Sequence, residues 1–503
     1  LGSNTTGTSN TALGQAAATS VTTANDITAI GKSSCLLNTT GLGNTAVGSA
    51  CSRNNVTGNY NTGMGVNTLN ANTGTQNTAV GAFALDVNTT ANSNNAFGYS
   101  ALGANTTGTE NNAFGVNSLL DNTTGNYNCA YGNSALANNT TANHNAAFGY
   151  ASLFNNITGT QNVAVGSQTL TTVTTAHNNT ALGFNALKIC TTGSSNTAVG
   201  SVALDANTTG YYNVGVGVGA LSENTTGAQN TAIGTFVLDA NTTASNNTGV
   251  GYAALSATTT GANNTAVGTA ALKVVTTGGN STAVGNGALE DATTGNTNEA
   301  FGAGALANLT TGEFNGGFGY QALNAVTTGD RNIAHGINSG LSITTGSQNT
   351  CIGVDAAGTL STGSNNTFLG YQASPSSNTV SNEITLGNAS VTAIRCNDQS
   401  IGSLSDARDK TDIVDLPAGL SFLNSLKPVK FKWATRDGNI KDGTIRAGFL
   451  AQDLKTAQKD DDYLDLVYEE NPNKLEAKYG NLIPTLVKAV QELSTKVTAL
   501  EAA

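Results

Sequence analysis

Charge is what this chain has least of. Only 10% of its residues are Asp, Glu, Lys or Arg, and the 31 acidic ones outnumber the 20 basic ones. A net charge of −11 without a basic stripe argues against nucleic acid as a partner, because nothing would meet the phosphates. Long apolar runs are missing as well, so no segment reads as membrane-inserting. Five prolines among 503 residues suit a chain whose backbone N–H groups are committed to strand ladders. The six cysteines include no C-x-x-C pair, which argues against a zinc site and a disulfide framework. Cys51 and Cys351 stand where small core alanines recur, and Cys190 replaces an asparagine, so they read as buried small-residue substitutions. Of the three histidines, His144 and His177 fall in turn positions, and His335 takes a position usually held by valine. With no H-x-x-x-H spacing, the expectation is no metal site and no cofactor.

The shortage of charge is uneven. Residues 1–400 hold 6 Lys and Arg and 15 Asp and Glu; residues 401–503 hold 14 and 16. Four of the five prolines and the single Trp433 also lie after residue 400. The composition therefore marks a boundary near 400, with an ordinary globular segment beyond it.

What fills the first part is a repeat. Asn44-Thr45-Ala46-Val47-Gly48 returns all along it, and the closing glycine recurs at Gly14, Gly31, Gly48, Gly65, Gly81, Gly98 and onward to Gly387. Each interval is 17 residues except Gly65 to Gly81, which is 16, giving 23 marked repeats of the form N-T-A-V-G-x-x-A-L-x-x-N-T-T-G-x-x. So strict a period indicates a repeat architecture. Seventeen residues rich in Asn, Thr and Gly are too few and too poor in helix formers for a helix pair. Two short apolar patches between turn residues predict one or two short strands per repeat, hence one coil of a parallel β-solenoid. At about 4.8 Å per coil, an unbroken stack of all the repeats would rise roughly 110 Å.

The asparagine four residues before the glycine is present in 20 of the 23 repeats, the exceptions being Ile27, Ser281 and Glu383. Its fixed phase predicts a ladder in which each side-chain amide donates to the next. Valines of the Val47 type and the leucines of the A-L patch are expected to fill the interior. Ala and Gly on one strand face would then allow neighbouring chains to approach. The short repeat carries Asn72-Thr73-Gly74 in place of N-T-T-G, which puts its deletion in a turn. Leu1 falls at the phase of the core leucine, so further sequence is expected upstream.

Two other chemistries can be weighed at the residue level. Asp86, Asp205, Asp239 and Glu290 share one phase, with Asp121, Glu223 and Asp291 one step on. They read as a solvated face rather than the paired carboxylates of a glycosidase. The many N-T-T sequons follow from the repeat and are not read as glycosylation sites.

The repeat resembles the coil motif in the heads of trimeric autotransporter adhesins and in related phage fibres. Those are left-handed parallel β-rolls in which three chains pack side by side. The resemblance covers roughly residues 1–387, and the 17-residue period is longer than the adhesin coil. After it, residues 374–404 read as a β-rich neck, with Val391 to Arg395 alternating as a strand would.

Beyond the neck the order of motifs is more specific. Ser405-Asp406-Ala407-Arg408-Asp409-Lys410 comes first, then Leu420 to Leu426, then Pro428-Val429-Lys430-Phe431-Lys432-Trp433. Gly448-Phe449-Leu450-Ala451-Gln452-Asp453 and Tyr479-Gly480-Asn481-Leu482-Ile483-Pro484 follow. This series is similar to the intramolecular chaperone domain of the endosialidase type, found in phage tailspikes and fibres. The resemblance implies a domain over 405–503 that trimerises, guides folding of the β-rich stem and is often released by self-cleavage. Carried onto this sequence, Ser405 and Lys410 match the reactive pair and Asp406 and Arg408 the flanking positions, with the scissile bond after Leu404. Spacing alone leaves open that S-D-A-R-D-K is a helix cap with a charged first turn.

The last segment has its own logic. Ile483, Val490 and Val497 fall at one heptad position, and Leu486, Leu493 and Leu500 at the other. That predicts a short coiled-coil seam, with a packed amphipathic helix as the alternative. β-Branched residues at a and Leu at d lean toward dimers, whereas the family resemblance implies trimers.

The sequence thus predicts a mainly β chain: a solenoid shaft over 1–373, a neck over 374–404, and a small α+β chaperone domain over 405–503 ending in a coiled-coil helix. The functional expectation is a homotrimeric structural fibre, of a viral tail or alternatively a bacterial surface adhesin. It would lie in a virion or outside the cell and meet a surface receptor or glycan. Any enzymatic step would be one self-cleavage by a Ser-Lys pair.

Overall fold

The computed structural model describes residues 1–391, 393–395, 405–432, 444–469 and 475–502. These fall into two compact units, residues 1–321 and 322–503.

Residues 1–321 form a parallel β-solenoid. Nineteen three-residue strands, from Thr11–Leu13 to Gly316–Phe318, recur once per coil. Each pairs in parallel with the next at equivalent positions, as in Thr45↔Thr62 and Ala46↔Gly63. The 16-residue repeat keeps this register, Thr62↔Thr78. Its missing residue is absorbed in the turn, where Asn72 Nδ2 reaches Gly74 O two residues on, instead of three as in Asn105 to Gly108.

The rest of each coil is turn, yet its backbone is laddered too. Leu102 N–H donates to Ser118 O, Ala104 N–H to Leu120 O and Thr106 N–H to Thr123 O, all at 2.9–3.0 Å. The Thr106 hydroxyl adds a bond to the same Thr123 carbonyl at 2.9 Å. Donors in both strands and turns are therefore used between coils, which accounts for the scarcity of proline.

The interior is built from leucine and alanine. Leu85, Leu102, Leu119 and their equivalents are fully buried, as are Ala46, Ala79 and Ala96 in mid-strand. Leu102 sits at φ 50°, a left-handed conformation that costs a branched residue roughly 1–3 kcal/mol. Complete burial of its side chain contributes about 1.5–3 kcal/mol and offsets the strain.

One expectation is corrected here. The Val47-type residues do not fill the interior, and the Ala and Gly face does not meet neighbouring chains. In Thr45–Val47 the middle alanine is buried, while threonine and valine lie on the outer face. Leucine from the preceding turn already occupies the space beneath the strand: a Cβ on Gly215 would stand 3.4 Å from Leu204 Cδ1. Only a small residue fits there, so the larger apolar residues point outward.

The repeat glycine is required twice over. Gly183 has φ 139°, and a Cβ there would lie 2.3 Å from Gly200 O in the next coil. Gly183→Ala should therefore destabilise the array by at least about 1–3 kcal/mol from backbone conformation alone. Gly2→Ala, with nothing within 4 Å of the added carbon, should be silent. Urea denaturation of the two variants checks this; equal midpoints would refute the close-packing account.

Residues 322–503 begin with four more parallel strands, Ile333–His335, Thr350–Ile352, Thr367–Leu369 and Ile384–Leu386. Two small antiparallel pairs follow, Val429–Phe431 with Arg446–Gly448 and Val467–Tyr468 with Glu476–Ala477. Among the described residues three α-helices complete the unit: α1 (Leu420–Leu423), α2 (Ala451–Gln458) and α3 (Ile483–Glu501). Ala418, Leu454, Leu464, Leu466, Val467 and Leu482 form its core beyond the coils.

Candidate functional site

Two arrangements bear on function: the asparagine ladders of the array and the Ser405–Lys410 turn.

Asn128 shows the expected ladder. Its backbone N–H and side-chain Nδ2 both donate to Asn111 Oδ1, at 3.0 and 3.2 Å. Nδ2 also donates to Ala142 O at 2.8 Å. The next coil repeats the set, with Asn145 N–H donating to Asn128 Oδ1. From Asn44 onward these asparagines are buried, so the amide chain satisfies groups that water cannot reach. A second ladder, missed in the sequence, runs through the asparagine of N-T-T-G. Asn105 Nδ2 donates to Asn88 Oδ1, and Asn122 Nδ2 to Asn105 Oδ1. Asn88, Asn105 and Asn122 are fully buried. The signal was weaker than for the first ladder, because Val173, Thr258, Val275, Leu309, Val326 and Ile343 stand at the same phase.

The cysteines behave as packing residues. Cys35, Cys51 and Cys351 are buried, and burial pushes each thiol up to about 12. Cys190 takes the place of a second-ladder asparagine, and its thiol donates to Gly193 O at 3.2 Å. Cys396 lies outside the described residues. His144 stacks on Tyr127 with ring centres 4.9 Å apart, and His177 Nδ1 accepts from Thr160 N–H. Among the described residues no group of three or more His, Cys, Asp or Glu side chains could hold a metal. In the carboxylate column, burial raises the carboxyls of Asp86, Asp205 and Asp239 above the ordinary range.

The Ser405–Lys410 segment is folded by its own side chains. Asp406 caps a single 3-10 turn, Ala407–Asp409, by accepting from Arg408 N–H at 2.9 Å. The Arg408 guanidinium folds back on the same carboxylate, Nε to Oδ1 at 3.0 Å and Nη2 to Oδ2 at 2.5 Å. That guanidinium holds the Asp406 carboxyl below the usual carboxylate range. Lys410 closes the turn with its backbone N–H on Ala407 O. Five residues apart, Ser405 and Lys410 are thereby brought together: Lys410 Nζ is 2.6 Å from Ser405 Oγ. The cap belongs to Asp406, which leaves the Ser405 hydroxyl to the lysine. Both residues are exposed in the single chain. Leu404, on the other side of the candidate scissile bond, lies outside the described residues.

Helix α3 shows which of its faces is used within the chain. Thr485 and Ala489 are buried, and the Glu492 carboxylate accepts from Leu420 N–H at 2.9 Å, tying α3 to α1. The heptad residues lie on another face and are exposed: Ile483 61%, Val490 64%, Leu493 50%, Leu500 78%. Among the described residues of one chain nothing covers this face. No described helix is long and apolar enough to cross a membrane.

Comparison with known proteins bears on the segment after the array. Residues 405–463 match the family model described as Chaperone of endosialidase, so a domain of this type follows the solenoid. No curated protein and no solved structure matches the chain.

Proposed function

We propose that this chain is a homotrimeric structural fibre, of a viral tail that attaches to a host cell, and that its chaperone-of-endosialidase domain directs assembly. The observation that carries the reading is the exposed heptad face of α3, which follows the matched residues 405–463 in the chain. Six apolar residues spaced for a coiled coil are costly to leave in water. Association of three chains through them aligns the chains at one end. Alignment matters because the coils before this segment are nearly identical, so shifted pairings between chains would cost little. Once the array is folded the domain has done its work, and release at Leu404–Ser405 would make assembly irreversible. The target is a cell-surface receptor or glycan; nucleic acid and the membrane interior play no part.

A chain synthesised without residues 405–503 should give aggregates or single-copy array, read by light scattering after size-exclusion chromatography. Soluble, thermally stable trimers from that shortened chain would overturn the chaperone role.

A further inference from the structure

The outer face of the array strands is apolar from coil to coil. In residues 1–321 the third strand position is Leu, Ile, Val, Met, Phe or Tyr in all nineteen strands, with no charge among them. These side chains are half-buried to exposed: Leu13 is 66% exposed and Leu182 47%. The first strand position, on the same face, is mostly threonine, and Glu299 is its one charged member. The middle position, as shown above, points inward.

We infer that this face is the lateral contact between copies of the chain, packed in parallel and in register. The inference rests on the trimeric reading but assigns it a surface, the opposite side of the strand from the alanine face suggested by sequence. Area supports it. A face three residues wide, at about 3.3 Å per residue, repeated over nineteen coils at about 4.8 Å, covers on the order of 900 Å². A stable interface takes roughly 800 Å² per partner. Periodicity selects the occupant: a partner must present apolar groups at the same coil spacing over the whole length, and a second copy does so.

The face also varies along its length, and the variation sets register. Phe97, Phe114, Tyr131 and Phe148 stack in successive coils, with ring centres 4.6, 4.5 and 5.0 Å apart and planes within 8°. Val80 precedes this block and Val165 follows it. Around a rotation axis along the stack each residue meets its equivalents in the other copies. In register, the aromatic block meets itself; a shift of several coils sets rings against valines and leaves gaps. The block thus adds a register mark within the array to the alignment set at its end.

Cysteine cross-linking in the full-length chain tests both parts. In a Cys129→Ser background, Val199→Cys lies on the proposed face and Thr209→Cys on an exposed turn of the same coil. Oxidation with copper phenanthroline should link copies carrying Val199→Cys and leave those carrying Thr209→Cys unlinked. Coexpressed chains bearing Val199→Cys and Val250→Cys under different tags should form like-with-like links only. Trimers by light scattering that link through position 209 and not 199 would overturn the face while leaving the trimer intact. Abundant 199–250 links would overturn the register key. A chain monomeric by light scattering would overturn the trimeric reading itself, and the face with it.

Discussion

Asn162→Leu should destabilise the array by about 2–6 kcal/mol, among the largest effects open to a side chain of similar volume. Asn162 Oδ1 accepts from the backbone N–H and Nδ2 of Asn179, at 3.0 and 3.3 Å. Its own Nδ2 donates to Ala176 O at 2.8 Å. Leucine would strand the buried Asn179 N–H and the Ala176 carbonyl, each at about 1–3 kcal/mol. It would supply no hydrophobic gain at a position lined by amides. Because coils touch only their neighbours, the loss should be local before it is global. Hydrogen exchange should show lost protection centred on residues 145–179, alongside a lowered urea midpoint. Asn178→Gly next door, exposed and at φ 59°, should stay within about 0.5 kcal/mol of the parent. Equal midpoints for the two variants would show that the ladder is a by-product of turn-forming asparagines, without structural weight.

The contrast between Asn162 and Asn178 also shows what a sequence can carry. Stacking turns periodicity along the chain into columns in space, so the 17-residue period was enough to predict coils, the Asn128-type ladder and the buried leucines. Which side of the strand faces inward was not legible. Thr-Ala-Val offers one small residue against two larger ones, and hydrophobicity alone sends valine inside. The decision is made by Leu204 and its equivalents, which come from another part of the coil and leave room for only Ala or Gly beneath the strand. The Asn88–Asn105 ladder was missed because N-T-T-G also reads as an ordinary turn. At Ser405–Lys410 the sequence supplied the partners but not the device. The Asp406 cap and its Arg408 clasp depend on dihedral angles that a spacing of five residues leaves open.

The chain should cut itself once between Leu404 and Ser405, and Ser405→Ala should abolish the cut. In the proposed step Ser405 Oγ gives its proton to Lys410 and attacks the carbonyl carbon of Leu404. The carbon–nitrogen bond breaks, the Ser405 nitrogen takes up a proton, and the resulting ester is hydrolysed by water. A serine hydroxyl needs a neighbour to accept its proton, and an amine does so only in its neutral form. The 2.6 Å contact between Lys410 Nζ and Ser405 Oγ provides the path. Exposure of both groups in the single chain supplies the timing, because the pair stays open to water until chains pack around it. Cutting should therefore follow assembly. Lys410→Ala should slow it by about 10²–10⁴-fold, the range for loss of a positioned base. Lys410→Arg should not rescue it, because a guanidinium stays protonated. Arg408→Ala, which loosens the Asp406 clasp without touching the pair, should have a smaller effect. Intact-mass measurement of the assembled protein checks each variant, with fragments ending at 404 and beginning at 405 as the readout. If the parent chain and Ser405→Ala both remain whole as folded trimers, Ser405–Lys410 is a structural contact and the domain a retained clamp.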